Sequence, residues 1–324
     1  MTCYDVFNGD ADGICALQQL RLAVPQEAIL VTGVKRDIAL LRRVPAEPQA
    51  RVTVLDVSLD QNREALLALL QAGAEVAYFD HHHPGEVPAH ERLSARIDTG
   101  AQVCTSILMD RHLDGAHRRW AVAGAFGDNL VDAARALGAS LGLDGAQWAR
   151  LQELGEAINY NAYVDDEADL ILHPAALYRL LQRHADPLGV MDCEPVLRRI
   201  RDTRLQDLAQ ARDLAPYAES EGGRVFILPD HPWGRRVRGA WGNQLVHDAP
   251  TQAHAVLSPG RQGGLVVSVR APLRRLRGAD VLCRQFPSGG GRAAAAGINH
   301  LPAAQLQDFV QAFRRAFDPE PPNP

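Results

Sequence analysis

Two aspartates one residue apart, Asp10 and Asp12 in Asn8-Gly9-Asp10-Ala11-Asp12-Gly13, follow a short β-branched run and precede a helical pattern. At such a turn both carboxylates can point into one pocket above a sheet edge. The ordinary alternative is that Asp12 caps the helix and Asp10 belongs to a turn. An EF-hand loop is excluded, because the later oxygen ligands and the glutamate at its last position are missing. A third acid, Asp56, ends the run Val52-Thr53-Val54-Leu55, and Val76-Ala77-Tyr78-Phe79 ends in Asp80-His81-His82-His83-Pro84. Asp128 lies in Gly127-Asp128-Asn129, where one helical pattern breaks before the next; alone it reads as a helix-start residue. Gathered in one cup, Asp10, Asp12, Asp56 and Asp128 would place about four negative charges together, an arrangement that persists only if cations fill it. Two divalent metals would balance it. Carboxylate oxygens with one imidazole suit Mn²⁺, with Mg²⁺ or Fe²⁺ less well matched, and two ions about 3.5–4 Å apart clamp a phosphate ester for in-line hydrolysis.

These side chains need elements to carry them. From Tyr4 to about Ser140 short β-branched runs alternate with helical patterns, the signature of βαβ units and a parallel sheet. Strands are expected at Tyr4 to Phe7, Ile29 to Val34, Val52 to Val57 and Val76 to Phe79. Helices are expected at Gly13 to Ala23, Gln61 to Gln71, Gln102 to Leu113 and Trp120 to Leu141. The acidic clusters then fall at strand ends, where an open α/β sheet binds its ligands. From about Gln147 to Glu221 the pattern is mainly helical, closing in Glu219-Ser220-Glu221-Gly222-Gly223, which reads as a linker. Further strands are expected at Arg224 to Leu228, Ala253 to Leu257 and Leu265 to Val269. A glycine turn at Ser288 to Gly291 then precedes an alanine-rich helical stretch, and a terminal helix lies near Ala303 to Phe317. The glycine run would offer backbone N–H groups at a helix start, an anion site. There is no internal repeat.

In this order and at these strand ends, Asp10-x-Asp12, Asp56, Asp80-His81-His82 and Asp128 resemble the four motifs of the DHH phosphoesterase superfamily, which includes RecJ-type exonucleases, oligoribonucleases and cyclic-dinucleotide phosphodiesterases. Gly289-Gly290-Gly291-Arg292-Ala293-Ala294-Ala295-Ala296-Gly297 resembles the glycine-rich signature of the DHH-associated C-terminal domain. The resemblance implies an α/β protein with an N-terminal parallel-sheet, Rossmann-like domain over 1–190, a helical linker over 191–222, a smaller α/β substrate-binding domain over 223–318 and a disordered tail over 319–324. It implies that Asp10 and Asp56 hold one metal, and that Asp12, the bridging Asp56, His81 and Asp128 hold another. Asp80 would orient the His81 ring, and His82 would contact the scissile phosphate or assist the leaving oxygen. Arg270, Gly289, Gly290, Gly291 and Arg292 would bind substrate. His83 has no assigned role. Two positions depart from the family pattern. Val6 stands where many members carry a metal-binding histidine, so Asn8 or water would have to fill in, and Arg292 stands where a histidine is usual.

The implied activity is metal-dependent hydrolysis of phosphodiester bonds in short oligonucleotides or linear or cyclic dinucleotides, with cleavage in the cleft between the two lobes. A RecJ-like single-strand exonuclease and a catalytically weak nucleotide-binding protein are the alternatives; pyrophosphatase activity is disfavoured by the glycine-rich motif. Composition fits this picture. The chain of 324 residues has 46% hydrophobic and 23% charged residues, an ordinary globular balance with room for two domains. Its net charge of -5 argues against stable duplex DNA binding, but the average hides two halves of opposite sign. Residues 223–318 carry 13 arginines against 5 acids, whereas residues 1–222 carry 21 basic against 33 acidic groups. Of the 34 basic residues only Lys35 is a lysine, a bias that reads as genomic base composition as much as selection for bidentate anion binding. The 5 cysteines are scattered without a CxxC pair, so neither a disulfide framework nor a zinc ribbon is indicated. No stretch is long enough to span a membrane and the start lacks a signal-peptide pattern, so a cytoplasmic protein, possible as a homodimer, is expected.

Overall fold

The computed structural model describes residues 1–261 and 263–319. The chain divides into two compact units, Met1–Asp202 and Thr203–Pro324. The tail expected over 319–324 lies, beyond Pro319, outside the described residues.

In the first unit the strands are β1 (Cys3–Asn8), β2 (Ile29–Gly33), β3 (Arg51–Leu55), β4 (Glu75–Asp80) and β5 (Leu93–Ile97). The helices are α1 (Ala11–Ala23), α2 (Leu59–Gln71), α3 (Thr105–His112), α4 (Arg118–Gly127), α5 (Val131–Gly138), α6 (Gly145–Ala162), α7 (Pro174–Leu181), α8 (Val190–Cys193) and α9 (Pro195–Arg212), the last running across the division. All the strand pairings are parallel, in the order β2-β1-β3-β4-β5. That order reverses between β1 and β3, and in a doubly wound sheet the crevice at such a reversal is the ligand site. One face of the sheet buries Val6, Val31, Val54 and Tyr78 against Leu59, Leu66 and Leu70 of α2. On the other face α1 packs against α3 and α4, and α4 against α6. A buried ion pair fixes α1 over β1: the Arg21 guanidinium grips Asp5 with both oxygens engaged, Nε lying 2.9 Å from Oδ2.

The second unit contains β6 (Ala218–Ser220), β7 (Gly223–Ile227), α10 (Pro232–Asp248), β8 (Ala253–Pro259), β9 (Leu265–Arg270), α11 (Ala279–Cys283), β10 (Gly289–Gly291), β11 (Ala295–Leu301) and α12 (Leu306–Phe317). Its mixed sheet has the order β10-β11-β9-β8-β7-β6, with only β7 and β8 parallel. Val267, Val269 and Ile298 meet Phe309 and Phe313 of α12 in one core, and Phe226 and Val256 meet Trp241 of α10 in another.

Several local expectations are corrected. The helix expected over Trp120 to Leu141 is interrupted at Asp128, and Asn129 adopts a left-handed backbone with φ 62°. Glu219 to Gly223, expected as a linker, makes the turn of the β6–β7 hairpin. Gly223 is needed there because a Cβ would lie 2.0 Å from the Ala253 carbonyl oxygen. The alanine-rich run after the glycines leads into strand β11 and not a helix, since pairing with β9 and β10 on both sides outweighs alanine's intrinsic helical preference, which tertiary context readily overrides. β5 and α10 were not anticipated.

Candidate metal centre

Between β1 and α1 the chain turns at Asp10, whose Oδ1 accepts the backbone N–H groups of Asp12 and Gly13 at 3.1 and 3.2 Å. The turn is tight: a Cβ on Gly13 would lie 2.3 Å from the Asn8 carbonyl oxygen. Asp10 is therefore the cap of α1. Asp12 points away from its own helix start, and its two oxygens accept the N–H groups of Thr105 at 2.7 Å and Ser106 at 2.6 Å, the opening residues of α3. The reading of Asp12 as the cap of α1 is corrected accordingly. The positive end of α3 stabilises its carboxylate.

Asp56 leaves β3 in a left-handed conformation, φ 58°, while its N–H donates to the Phe79 carbonyl at 3.0 Å. That is a strained geometry which aspartate tolerates better than most residues. His81 follows β4 with Nδ1 held by the Val103 carbonyl at 3.0 Å. Its Nε2 then sits 3.3 Å from Asp56 Oδ1 and 3.8 Å from Asp12 Oδ2. Asp80 accepts a hydrogen bond from His82 Nδ1 at 2.7 Å. The expected pairing of Asp80 with His81 is thus replaced, because residues two apart in an extended chain share a face and adjacent ones do not. His83 makes a turn contact, accepting the Gly85 N–H.

Asp10, Asp12 and Asp56 are buried, and Asp128 has little exposure. Burial, with the charges of Asp10, Asp12 and Asp128, pushes Asp56 well above the ordinary carboxylate range against the opposing pull of His82. Asp12 is raised by burial and by Asp128 and Asp10, opposed by His81. Burial alone would depress His82, but the hydrogen bond and charge of Asp80, helped by Asp56, raise it. His81 Nε2 thus faces the carboxylates of both Asp56 and Asp12, donor types that suit a divalent cation. Among the described residues the group whose ligand atoms converge within 4.8 Å is Asp56, His81 and His82, and Asp12 is not part of it.

The other half of the cup differs. Lys35, just past β2, places its ammonium against Asp10 and 3.5 Å from Asp128 Oδ1. Burial disfavours that charge, but Asp10, Tyr163, Asp128 and Asp56 more than compensate and hold its pKa well above the ordinary lysine value. The residues here do not fit a second divalent ion as they stand. Sequence reasoning missed Lys35 as part of the site, though its being the single lysine was a signal. It also missed the Val103 carbonyl and the start of α3, which are main-chain groups and carry no side-chain signature.

In the second unit Arg270 is held by Asn243 Oδ1 at 2.6 Å and Ser268 Oγ at 2.9 Å. Gly289 to Gly291 form the edge strand β10 and not an amide cradle at a helix start. A Cβ on Gly289 would lie 1.8 Å from the Cys283 carbonyl oxygen. Arg292 opens an exposed turn closed by its two backbone hydrogen bonds with Ala295, and Ala295 pairs with Arg270. Arg270 and Arg292 therefore share one end of this sheet.

No family model matches the chain, and no curated protein matches it. Solved structures do. The exonuclease RecJ bound to manganese is 19% identical, covering 97% of this chain and 90% of its own, with a TM-score of 0.58. A DHH domain from a member of a family of ribosomal proteins is 15% identical, covering 97% and 86%, with a TM-score of 0.62. A pGpG-specific phosphodiesterase, PggH from Vibrio cholerae, is 14% identical, covering 96% and 97%, with a TM-score of 0.51. At such identities the likeness establishes the fold alone, which this chain shares with these structures over nearly its whole length. No helix among the described residues is long and apolar enough to cross a membrane.

Proposed function

We propose that this chain is a metal-dependent phosphodiesterase that hydrolyses short oligonucleotides or linear or cyclic dinucleotides. The observation that carries this reading is the approach of His81 Nε2 to both Asp56 and Asp12 at the sheet's reversal point, with the Asp80–His82 pair beside them. Its support from other proteins is a fold shared with a manganese-bound exonuclease and a pGpG-specific phosphodiesterase.

A divalent ion held by Asp12, Asp56 and His81, Mn²⁺ by preference and Mg²⁺ as a substitute, would supply a water of lowered pKa and a charge for the phosphate oxygens. The protein's own groups do the rest. Val103 fixes the His81 tautomer, so that Nε2 faces the carboxylates. Asp80 holds a proton on His82 Nδ1, leaving Nε2 of this partly exposed ring to protonate the leaving oxygen. Arg270 and Arg292 would grip an anionic group of the substrate, with Gly289 to Gly291 shaping the adjacent edge. A cytoplasmic location belongs to the same reading.

The test is a panel of pGpG, pApA, cyclic dinucleotides, inorganic pyrophosphate and labelled pentamers with Mn²⁺, run on the wild type and Asp56→Asn. Release of mononucleotide by the wild type alone supports the proposal; inertness toward every nucleotide substrate overturns it.

A further inference from the structure

Lys35 is the single lysine in a chain that otherwise uses arginine throughout, and it stands in the acid cup. Its place there is built from the main chain outward. The Lys35 N–H donates to the Ala162 carbonyl at 3.1 Å, and its carbonyl accepts from Asn8 Nδ2 at 3.4 Å. The ammonium lies 5.4 Å from the centre of the Tyr163 ring, contacts Asp10 and reaches Asp128.

Val6 and Asn8, the side chains that would complete a ligand set beside Asp10, add no metal ligand. Val6 is fully buried in the core with Val31 and Val54 and offers no donor atom. The Asn8 amide is occupied, its Oδ1 accepting the Asp10 N–H at 3.3 Å and its Nδ2 serving Lys35. A divalent ion touching Asp10 and Asp128 would meet the ammonium at contact distance, and like charges so close repel strongly in a buried site. The choice of lysine over arginine fits the same role. An ammonium is a compact point charge with three donors, close in size to a small cation, whereas a guanidinium is broad and planar.

We propose that the Lys35 ammonium takes the place of one divalent ion, so that the chain binds a single metal ion, held by Asp12, Asp56 and His81. This rests on the phosphodiesterase reading for its purpose, but the count of ions is measured without substrate. Lys35 sets its ammonium directly against Asp10 and beside Asp128, and the site no longer depends on filling a position that lacks a histidine.

Equilibrium dialysis and electron paramagnetic resonance of the Mn²⁺-loaded protein test it. The wild type should hold one ion per chain with an uncoupled spectrum, and Lys35→Met should hold two with a spin-coupled spectrum. Two ions in the wild type, or no gain in Lys35→Met, overturns the inference. A second measurement needs no variant. Because Lys35 is the only ε-amine, its acetylation rate is read directly by mass spectrometry. Saturating Mn²⁺ should leave the rate unchanged or slower, and a several-fold acceleration would mean that metal expels the ammonium and the inference is wrong. A wild type that binds no Mn²⁺ sinks both readings. One ion without nucleotide hydrolysis sinks only the phosphodiesterase reading, and hydrolysis with two ions sinks only this one.

Discussion

His82 Nδ1 is hydrogen-bonded to Asp80 at 2.7 Å, and His81 is left to the Val103 carbonyl. The two histidines of one motif are thereby sent to different tasks. His81 presents Nε2 to Asp12 and Asp56, and beside them the hydrogen bond and charge of Asp80 raise the pKa of His82.

The first expectation follows from that division. With its pKa raised, His82 keeps its proton to a higher pH, so activity that needs it as an acid is full below that pKa and lost as pH climbs through it. Asp80→Asn removes the carboxylate that raises it. The alkaline limb of the kcat profile should move to lower pH, with kcat down by about 10²-fold and metal affinity little changed. An unmoved limb would show that His82 is not the acid.

Asp56 gives a second. Its left-handed backbone makes alanine a confounded probe, since alanine there pays about 1 kcal/mol for the conformation besides losing the carboxylate. Asp56→Asn tolerates the geometry and removes only the charge. It should abolish Mn²⁺ binding yet unfold in urea no more easily than the metal-free wild type, while Asp56→Ala should be the less stable of the two. Equal stability of the two variants would refute the claim of backbone strain.

How far this site was legible depended on which physics carried each part. Asp10, Asp12, Asp56 and His81 were readable because each follows an apolar run that can only be a strand, and strand ends locate the ligand crevice. β5 was missed because it is a partly exposed edge strand in which Ser94 and Arg96 dilute a short pattern. α10 was missed although Trp233, Val237, Trp241 and Leu245 recur every four residues, because the glycines and arginines among them mask the stripe. Lys35 was passed over although it directly follows the strand expected at Ile29 to Val34 and is the single lysine. A basic residue at a strand end does not by itself read as part of an acidic metal cup.

A third expectation concerns metal removal and pH. Asp56 and Asp12 are raised by burial and mutual repulsion, so the metal-free fold holds protons that the unfolded chain has already released. Stability of the metal-free protein therefore falls as pH rises from the ordinary carboxylate value through the raised ones. Mn²⁺ must displace the same protons and binds more tightly as pH rises. At a fixed free concentration the gain in melting temperature should be larger at pH 8 than at pH 6, and chelator should cost about 3 kcal/mol where the ion is at a hundred times its Kd. An equal gain at both pH values would count against protonated carboxylates in the empty cup.

The Arg21–Asp5 pair supplies a fourth, because it holds α1 and hence Asp10 and Asp12 over β1. Arg21→Ala leaves a buried carboxylate without its partner and should destabilise by about 3–5 kcal/mol in urea unfolding. Replacing both residues with apolar ones of similar volume should recover most of that loss. A single variant costing no more than an exposed pair would mean that α1 is located by packing alone.

The last lies in the second unit, away from the metal cup. His254 on β8 is buried and, among the described residues, neither ring nitrogen has a hydrogen-bond partner. Burial and the nearby Arg224 charge lower its pKa to about 4. The unfolded chain titrates near the ordinary histidine value, so it takes up a proton that the folded chain refuses. Stability from the neutral ring is complete above that value and declines as pH falls from about 6.5 to about 4, by up to about 3 kcal/mol. His254→Leu keeps an apolar side chain at the position and has no proton to bind. The slope of unfolding free energy against pH over this window should be shallower in the variant than in the wild type, whatever the offset between their absolute stabilities, and parallel slopes would show that His254 accepts its proton in the folded state.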